Sequence, residues 1–338
     1  MKDIKLLAID LAKNKFQLHG NDEFGNCVYK KQISRSKLME TIENLPLCTI
    51  VMEACGGANH WCRKFDAMGH TSKQVHAKYV KPFVKTGKND ANDAEAIAEA
   101  ATRPYMSFSK TKSIESQDIQ SLHRVRSLYV KNKTALSNQI RGILTEYGIV
   151  APLGLAKLKI VIQDELESTE NDLSASMRSI VDDLYTQLLN LESKVSEYSQ
   201  IILELSKKNQ NYILLQSIPG VGPMVATAVM SLMGDPNDYK NGRQFAAFLG
   251  LVPKQNSSGG KTKLAGITKY GDTYVRTLLV HGARSVVRCA KGKVDQRSLW
   301  ITKKFQEIGY NKTSIAVANK MARMCLAIIK TQQPYKTI

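Results

Sequence analysis

The order of predicted elements in the first 110 residues constrains the fold of this chain most strongly. Residues 48–52 form a continuous apolar run with β-branched members, which is typical of a buried central strand. Alternation, turn residues and caps predict three helices and four further strands around it. In chain order the predicted elements are strands at 4–9, 15–20 and 27–29, a helix at 36–45, the strand at 48–52, a helix at 59–68, a strand at 72–75 and a helix at 93–101.

This order, β-β-β-α-β-α-β and then a helix, is that of a mixed ribonuclease-H-like sheet. Farther along, apolar residues recur at steps of three, four and seven between residues 114 and 205, with a break at Pro152 and Gly154. The pattern predicts a long antiparallel helical hairpin of the coiled-coil kind, serving dimerisation or packing within one chain. Glycine-punctuated short helices follow, then a final helix at 314–329 and a tail at 331–338 that is expected to fray.

Charge is distributed very unevenly along the chain. The whole sequence has 48 Lys and Arg against 30 Asp and Glu, a formal charge of +18. From Lys240 to the end there are 19 basic residues and three acids, whereas the stretch 164–204 is acidic. A surplus of this size predicts a polyanionic partner, most often nucleic acid, and argues against an enzyme of small metabolites.

The sequence predicts neither a membrane span nor an export signal. No stretch of about 18 apolar residues occurs, so no transmembrane helix is predicted. Asp3 and Asp10 interrupt the first apolar run, which does not suit a signal peptide. Six cysteines without a CxxC pair fit reduced thiols, so we expect a cytoplasmic protein.

Four carboxylates form the first candidate site. Asp10 ends the first strand, Glu53 ends the fourth, and Asp90 and Asp93 open the next helix. Carboxylates held together repel one another, and Mg²⁺ or Mn²⁺ ions, which prefer oxygen ligands, remove that cost. The set predicts two metal ions acting on a phosphoryl group. The alternative is two strand-end residues facing water and an N-cap at Asp90; Lys88 could orient a phosphate or merely neutralise the acids.

A second set of residues fits phosphate binding in the C-terminal part. Residues 215–223 resemble the turn of a helix-hairpin-helix, in which Gly220 and Gly222 permit a tight turn and helix N–H groups face a phosphate. A plain helix–helix turn is the alternative. On a later helix Arg284 and Arg288 share a face with His281, and they are candidate phosphate ligands or a solvated face. Arg276, on the same helix, is a further candidate.

The segment 250–261 is a candidate catalytic loop. Ser257 and Ser258 precede two glycines, and lysines flank them on both sides, at Lys254, Lys261 and Lys263. A serine hydroxyl there can attack a phosphodiester if cations stabilise the transition state. A flexible, solvated Ser/Gly linker is the alternative reading of the same composition.

Taken together, these motifs resemble the DEDD transposases of the insertion-sequence-110 family. The resemblance lies in residues 8–13, 52–54, 90–94, 218–222 and 250–260, and residues 261–284 are most similar to its 1111 subgroup. It implies a RuvC-like catalytic domain at 1–110, a coiled-coil hairpin at 111–208 and a transposase domain at 209–338. It also implies that Asp10, Glu53, Asp90 and Asp93 bind metal and that Ser258 is the nucleophile, with Ser257 beside it as the other possibility.

The same resemblance implies the reaction and the partners. Members excise and insert an insertion-sequence element, and the serine forms a covalent phosphoserine link to DNA. They act as homodimers or homotetramers on double-stranded DNA at element ends and target, guided by a structured non-coding RNA, in the bacterial nucleoid. Two alternatives remain from the residues themselves. One is a junction nuclease that uses water as its nucleophile, and the other is a non-catalytic nucleic-acid-binding protein.

Overall fold

The computed structural model describes residues 3–85 and 89–336, so Lys88 lies outside the described residues. The chain divides into two compact units, Met1–Ser113 and Ile114–Ile338. The first contains a six-stranded mixed sheet, and the second is mostly helical. Within the described ranges, no helix has both the length and the apolar character needed to cross a membrane.

The sheet of the first unit has β1 (Leu6–Leu11) at its centre. The other strands are β2 (Lys15–Asn21), β3 (Cys27–Ser34), β4 (Thr49–Glu53), β5 (Thr71–Val75) and β6 (Phe108–Ser109). Its order is β3-β2-β1-β4-β5-β6, with β1 antiparallel to β2 and parallel to β4. The parallel pairing follows from the helix that connects β3 to β4, because a parallel pair needs a crossover.

Both faces of this sheet are covered, since side chains alternate between them along each strand. Leu7 and Ile9 of β1 pack in one apolar cluster with Phe65 of the second helix, whereas Ala8 packs in the other with Ile97 of the fourth. The small Ala8 side chain lets that helix approach β1 closely. The helices are α1 (Leu38–Glu43), α2 (Ala58–Ala67), α3 (Ala77–Val80) and α4 (Asp90–Thr102).

Three helices open the second unit, where two were predicted. They are α5 (Ile114–Glu146), α6 (Leu155–Glu167) and α7 (Ala175–Lys208). The break at Pro152 and Gly154 is present, but α6 follows it as a separate helix. Ile140 of α5, Leu158 of α6 and Leu188 of α7 are fully buried in a shared apolar cluster. A short third helix, α6, therefore packs against the two long helices of the hairpin.

The remaining elements surround a second apolar core. They are α8 (Gln210–Gln216), α9 (Pro223–Met233), α10 (Gly242–Phe248), β7 (Pro253–Gln255), β8 (Leu264–Ile267), α11 (Thr273–Arg288) and α12 (Gln296–Thr331). The final helix begins earlier than predicted, and Gly309 kinks it with φ 77°. The tail does not fray at Tyr335, whose backbone N–H donates to Ser217 Oγ over 2.8 Å.

Candidate active site and nucleic-acid interface

The sheet brings Asp10 and Glu53 to neighbouring positions. Ile9 of β1 is paired with Met52 of β4 in parallel register, and the two acids are the next residues on each strand. Both are partly buried. Because parallel strands share one direction, their carboxyl ends meet at one edge of the sheet. Asp10 and Glu53 therefore reach the same edge.

Helix α4 contributes the other two acids from its first turn. Asn89 caps it, its Oδ1 accepting from the Ala91 N–H over 2.9 Å, so the cap is not Asp90. Asp90 and Asp93 then lie where the helix dipole favours negative charge. Glu95 on the same helix pairs with Lys85 at 2.6 Å and, at 3.6 Å, with Lys30 of β3. This pairing ties α4 to the sheet.

Electrostatic coupling links the four carboxylates. Burial raises the pKa of Asp10 to about 6, and three nearby carboxylates add to the shift. In decreasing order of effect, these are Asp93, Asp90 and Glu53. The charges of the other three predicted acids therefore act on Asp10.

A cavity of about 290 Å³ lies at this cluster. Glu53 and Asp93 line it together with Lys78 and Lys81. The two lysines were not predicted, although the run of basic residues from 73 to 88 precedes the acidic helix directly in sequence. The cavity therefore combines carboxylates with cations that attract a phosphate.

The donor set fits a hard divalent cation by its chemistry, since carboxylate oxygens suit Mg²⁺ or Mn²⁺. In residues 3–85 and 89–336, however, no three His, Cys, Asp or Glu side chains are close enough together to hold one ion. The coupling at Asp10 acts through space over longer distances than coordination needs.

Ser258 lies at the tip of a β-hairpin, which corrects the prediction of a flexible loop. Strands β7 and β8 are antiparallel, and Lys261 N–H donates to the Ser258 carbonyl over 3.0 Å. Gly259 and Gly260 have φ of 53° and 76°, the pair of left-handed residues that a tight two-residue hairpin turn requires. The hairpin is exposed, as predicted. Turn geometry thus presents Ser258 at a defined position.

The two serines differ in their hydrogen bonds. Ser257 Oγ accepts from Gln255 Nε2 over 3.0 Å. For the Ser258 hydroxyl, no hydrogen bond occurs among the described residues. Three exposed lysines flank the two serines in sequence, one on β7 and two between the serines and β8: Lys254, Lys261 and Lys263. The free hydroxyl is therefore that of Ser258.

The glycines of the turn at 219–222 have different surroundings. Gly220 has φ 91°, and a Cβ there would lie 2.6 Å from Val286 Cγ2 of α11. Gly222 is exposed directly before α9, and a Cβ there would meet nothing within 4 Å. Gly220 thus permits close packing against α11, and Gly222 leaves the N-terminus of α9 accessible.

The three arginines of α11 have separate environments. Arg276 is 8 % exposed, and its guanidinium donates to the carbonyls of Leu249 and Gly271. The prediction of Arg276 as a phosphate ligand is therefore wrong, because its donors hold the preceding loop inside the fold. Arg284 is partly buried, and Arg288 is exposed with its guanidinium 6.0 Å from the Tyr310 ring centre.

A buried polar network in the second unit was not predicted. His123 Nδ1 is 2.9 Å from Tyr274 Oη, and His123 Nε2 is 2.9 Å from Thr227 Oγ1. Burial, and then the charge of Arg126, lower the pKa of His123 to about 4. The ring therefore joins α5, α9 and α11 as a neutral group. A lone histidine within an apolar helical repeat is the only signal that the sequence offers for it.

A mixed sheet with two carboxylates at one edge and two more on helix α4, followed by a basic helical unit, is compatible with a nuclease of the DEDD class. Two family models match this chain: "DEDD_Tnp_IS110: Transposase" over residues 7–149, and "Transposase IS116/IS110/IS902 family" over residues 212–298. The chain belongs to this transposase family. It is accordingly a DNA-processing enzyme, and DEDD transposases typically use divalent metal ions.

Similarity to individual relatives extends along the whole chain. The transposase for insertion sequence element IS1111A of Coxiella burnetii is 43 % identical over 99 % of this chain and 92 % of its own. A probable family 20 transposase of Pseudomonas aeruginosa is 40 % identical over 99 % of both. The transposase for insertion sequence element IS1328 of Yersinia enterocolitica is 33 % identical over 97 % of both. The family predicted from the motifs is thus confirmed.

Proposed function

We propose that this transposase excises and inserts an insertion-sequence element through a covalent link between Ser258 and DNA. In this proposal the first unit is a ribonuclease-H-like, RuvC-like catalytic domain. The observation that carries the metal-dependent part of this proposal is the parallel register that brings Glu53 of β4 beside Asp10 of β1, where the charges of Asp90 and Asp93 from α4 also act on Asp10. Carboxylates grouped in this way are typical of sites that bind divalent cations and act on phosphodiesters.

Asp10, Glu53, Asp90 and Asp93 are the proposed metal ligands, for two Mg²⁺ or Mn²⁺ ions. When bound, the ions supply positive charge that polarises the scissile phosphate. The chain itself supplies Lys78 and Lys81 at the cavity, where they attract the DNA backbone. Asp10, with its pKa near 6, is mostly ionised above neutral pH and then available as a ligand.

Ser258 is the proposed nucleophile. Its oxygen attacks phosphorus and forms an Oγ–P bond while the P–O3′ bond breaks; the serine proton leaves and the departing 3′ oxygen takes one up. A DNA 3′-OH later attacks the same phosphorus and releases serine, so bond energy is conserved without a nucleotide cofactor. The free hydroxyl supports Ser258 over Ser257, whose oxygen is engaged by Gln255. Lys254, Lys261 and Lys263 neutralise the phosphate charge.

The carboxylates belong to one unit and Ser258 to the other. The proposed reaction therefore draws on residues of both units. Helices α5 and α7 are the proposed coiled-coil arm that pairs protomers into dimers and tetramers. The basic C-terminal part is the proposed surface for double-stranded DNA and for a guide RNA, and Gly222 and Arg288 belong to it.

A junction nuclease in which water attacks is the second candidate. What favours it is that the described residues of the carboxylate cluster and of the cavity lining all belong to the first unit. In that reaction Ser258 only contacts DNA. The two candidates share the metal chemistry and differ in whether a protein–DNA bond forms.

A suicide DNA substrate with Mg²⁺ separates them. We expect an adduct that survives SDS in the wild-type protein and in Ser257→Ala, and no adduct in Ser258→Ala. Asp10→Asn is expected to abolish strand cleavage while DNA binding stays near the wild-type level. An adduct in Ser258→Ala, or cleavage without adduct in the wild type, contradicts the serine mechanism.

A further inference from the structure

Three cationic residues of the kinked helix α12 have no acidic partner among the described residues. They are Arg297 near its start, and Lys320 and Arg323 on its later turns. No ion pair joins any of them to Asp or Glu in the part of the chain that the structure describes. All three acids after Lys240 are engaged elsewhere: Asp272 and Asp295 cap α11 and α12, and Glu307 pairs with Lys304.

Aromatic rings hold two of these cations. Lys320 Nζ lies 3.7 Å from the ring centre of Trp300, and the Arg297 guanidinium lies 5.6 Å from that of Tyr335. A cation over an aromatic face is stabilised by the ring but keeps its net charge. The rings therefore fix Lys320 and Arg297 in place and leave them able to bind an anion.

Two features of this cluster cost free energy when no anion is bound. Arg297 Nη1 is buried and has no hydrogen-bond partner among the described residues. Burial lowers the pKa of Lys320, and the charges of Arg297 and Arg323 lower it further. The unpaired buried N–H and the repulsion of Lys320 by two arginines both cost free energy, and an anion bound beside Lys320 relieves the repulsion.

The position of the cluster indicates which anion. Arg297 Nη2 donates to the Pro219 carbonyl over 3.3 Å, so the cluster adjoins the turn at 219–222. Beyond that turn Gly222 leaves the N-terminus of the eleven-residue helix α9 accessible. A helix N-terminus and a cation cluster side by side match successive phosphates of one nucleic-acid strand.

We propose that Arg297, Lys320 and Arg323, supported by Trp300, bind a backbone phosphate of DNA. This site rests on the proposed function, because it serves the DNA that the transposase processes. We expect it to bind DNA without regard to base sequence, because attraction to a phosphate carries no sequence information. It extends the proposed interface from the turn at 219–222 along α12. No motif in the sequence marks this surface.

The test measures binding of a fluorescein-labelled duplex of arbitrary sequence by anisotropy, in EDTA so that no strand is cut. Lys320→Gln keeps most of the stem on Trp300 and removes one charge. At 0.1 M salt we expect about tenfold weaker binding, and a plot of log affinity against log salt that is shallower by about one. Lys320→Gln with Arg323→Gln is expected to lower the slope by about two.

Lys194→Gln is the matched control, because it removes one positive charge from the acidic helix α7, where Lys194 pairs with Glu197. We expect its slope to equal that of the wild type. Unchanged slopes in both test variants, with DNA binding intact in the wild type, overturn this site and leave the proposed function standing. A wild-type protein that neither binds nor cleaves DNA overturns both.

An RNA hairpin of equal charge supplies the second arm. A slope change seen with RNA alone overturns the assignment to DNA and makes the cluster an RNA site. Thermal melts of each variant within about 2 °C of the wild type show that the fold is intact. If Lys320→Gln melts lower than that, Lys320→Arg, which keeps the charge, is expected to restore binding; failure to do so contradicts the site.

Discussion

The carbonyl oxygen of Gly220 lies 2.0 Å from the position that a Cβ atom on Gly282 would occupy. The turn at 219–222 and helix α11 therefore touch backbone to backbone. Glycine is required at position 282 by this contact alone, since no positive φ is found there. The contact fixes the predicted phosphate-binding turn against the helix that carries Arg284 and Arg288.

Gly282→Ala is predicted to destabilise the second unit by about 1–3 kcal/mol, because the added methyl group forces the turn away from α11. Urea unfolding monitored by circular dichroism measures this. Gly142→Ala is the control, since a Cβ on this helical residue of α5 meets nothing within 4 Å. We expect that control to be neutral or stabilising by up to about 1 kcal/mol. Equal stability of Gly282→Ala and the wild type would contradict the packing.

Asp10→Asn is predicted to raise the melting temperature at pH 8 in EDTA. The folded pKa of about 6 exceeds the ordinary 3.8, so the folded state disfavours the charged form. Stability is then lost as pH rises from about 4 through 6, and an uncharged side chain avoids that loss. Asp183→Asn, on the exposed surface of α7, is expected to show no such gain.

Mg²⁺ gives a second readout on the same variants. In the wild type we expect the ion to raise the melting temperature at pH 8 by relieving carboxylate repulsion. The rise should be much smaller in Asp10→Asn and unchanged in Asp183→Asn. An equal rise in all three proteins would mean that the ion binds elsewhere.

His123 makes the second unit sensitive to acid. Its folded pKa of about 4 lies below the ordinary 6.5, so the unfolded chain binds a proton first as pH falls. The free energy of unfolding should therefore fall by about 3 kcal/mol between pH 6.5 and 4. Urea titrations at several pH values test this. His123→Gln should flatten the profile, whereas replacing the exposed His281 by Gln should leave it unchanged.

Alanine substitution is predicted to lower stability at Arg276 and to weaken DNA binding at Arg288. Arg276→Ala removes donors from two carbonyls and should destabilise the protein by about 2–3 kcal/mol. Arg288→Ala should leave stability within about 0.5 kcal/mol and make the salt dependence of DNA binding shallower. The reverse pattern would restore Arg276 as a phosphate ligand.

Features set by periodicity and burial could be predicted from the sequence. The strand at 48–52 is an apolar run, and parallel pairing with β1 brings Glu53 beside Asp10 without further information. The hairpin around Ser258 could not be predicted, because exposed Ser, Gly and Lys have low strand propensity and the turn geometry of two glycines closes it. The sequence alone indicates that Arg276 is a surface cation. Residue spacing along a helix does not show that its guanidinium donates to the carbonyls of Leu249 and Gly271.

The central claim is that Ser258 becomes covalently linked to DNA, and mass spectrometry of the trapped adduct tests it most directly. After nuclease and trypsin digestion, the peptide of residues 255–261 contains both serines between Lys254 and Lys261. We predict that its fragment ions place a 5′-linked nucleotide on Ser258. A nucleotide on Ser257 or on another peptide, or DNA cleaved with no modified peptide, would contradict the account.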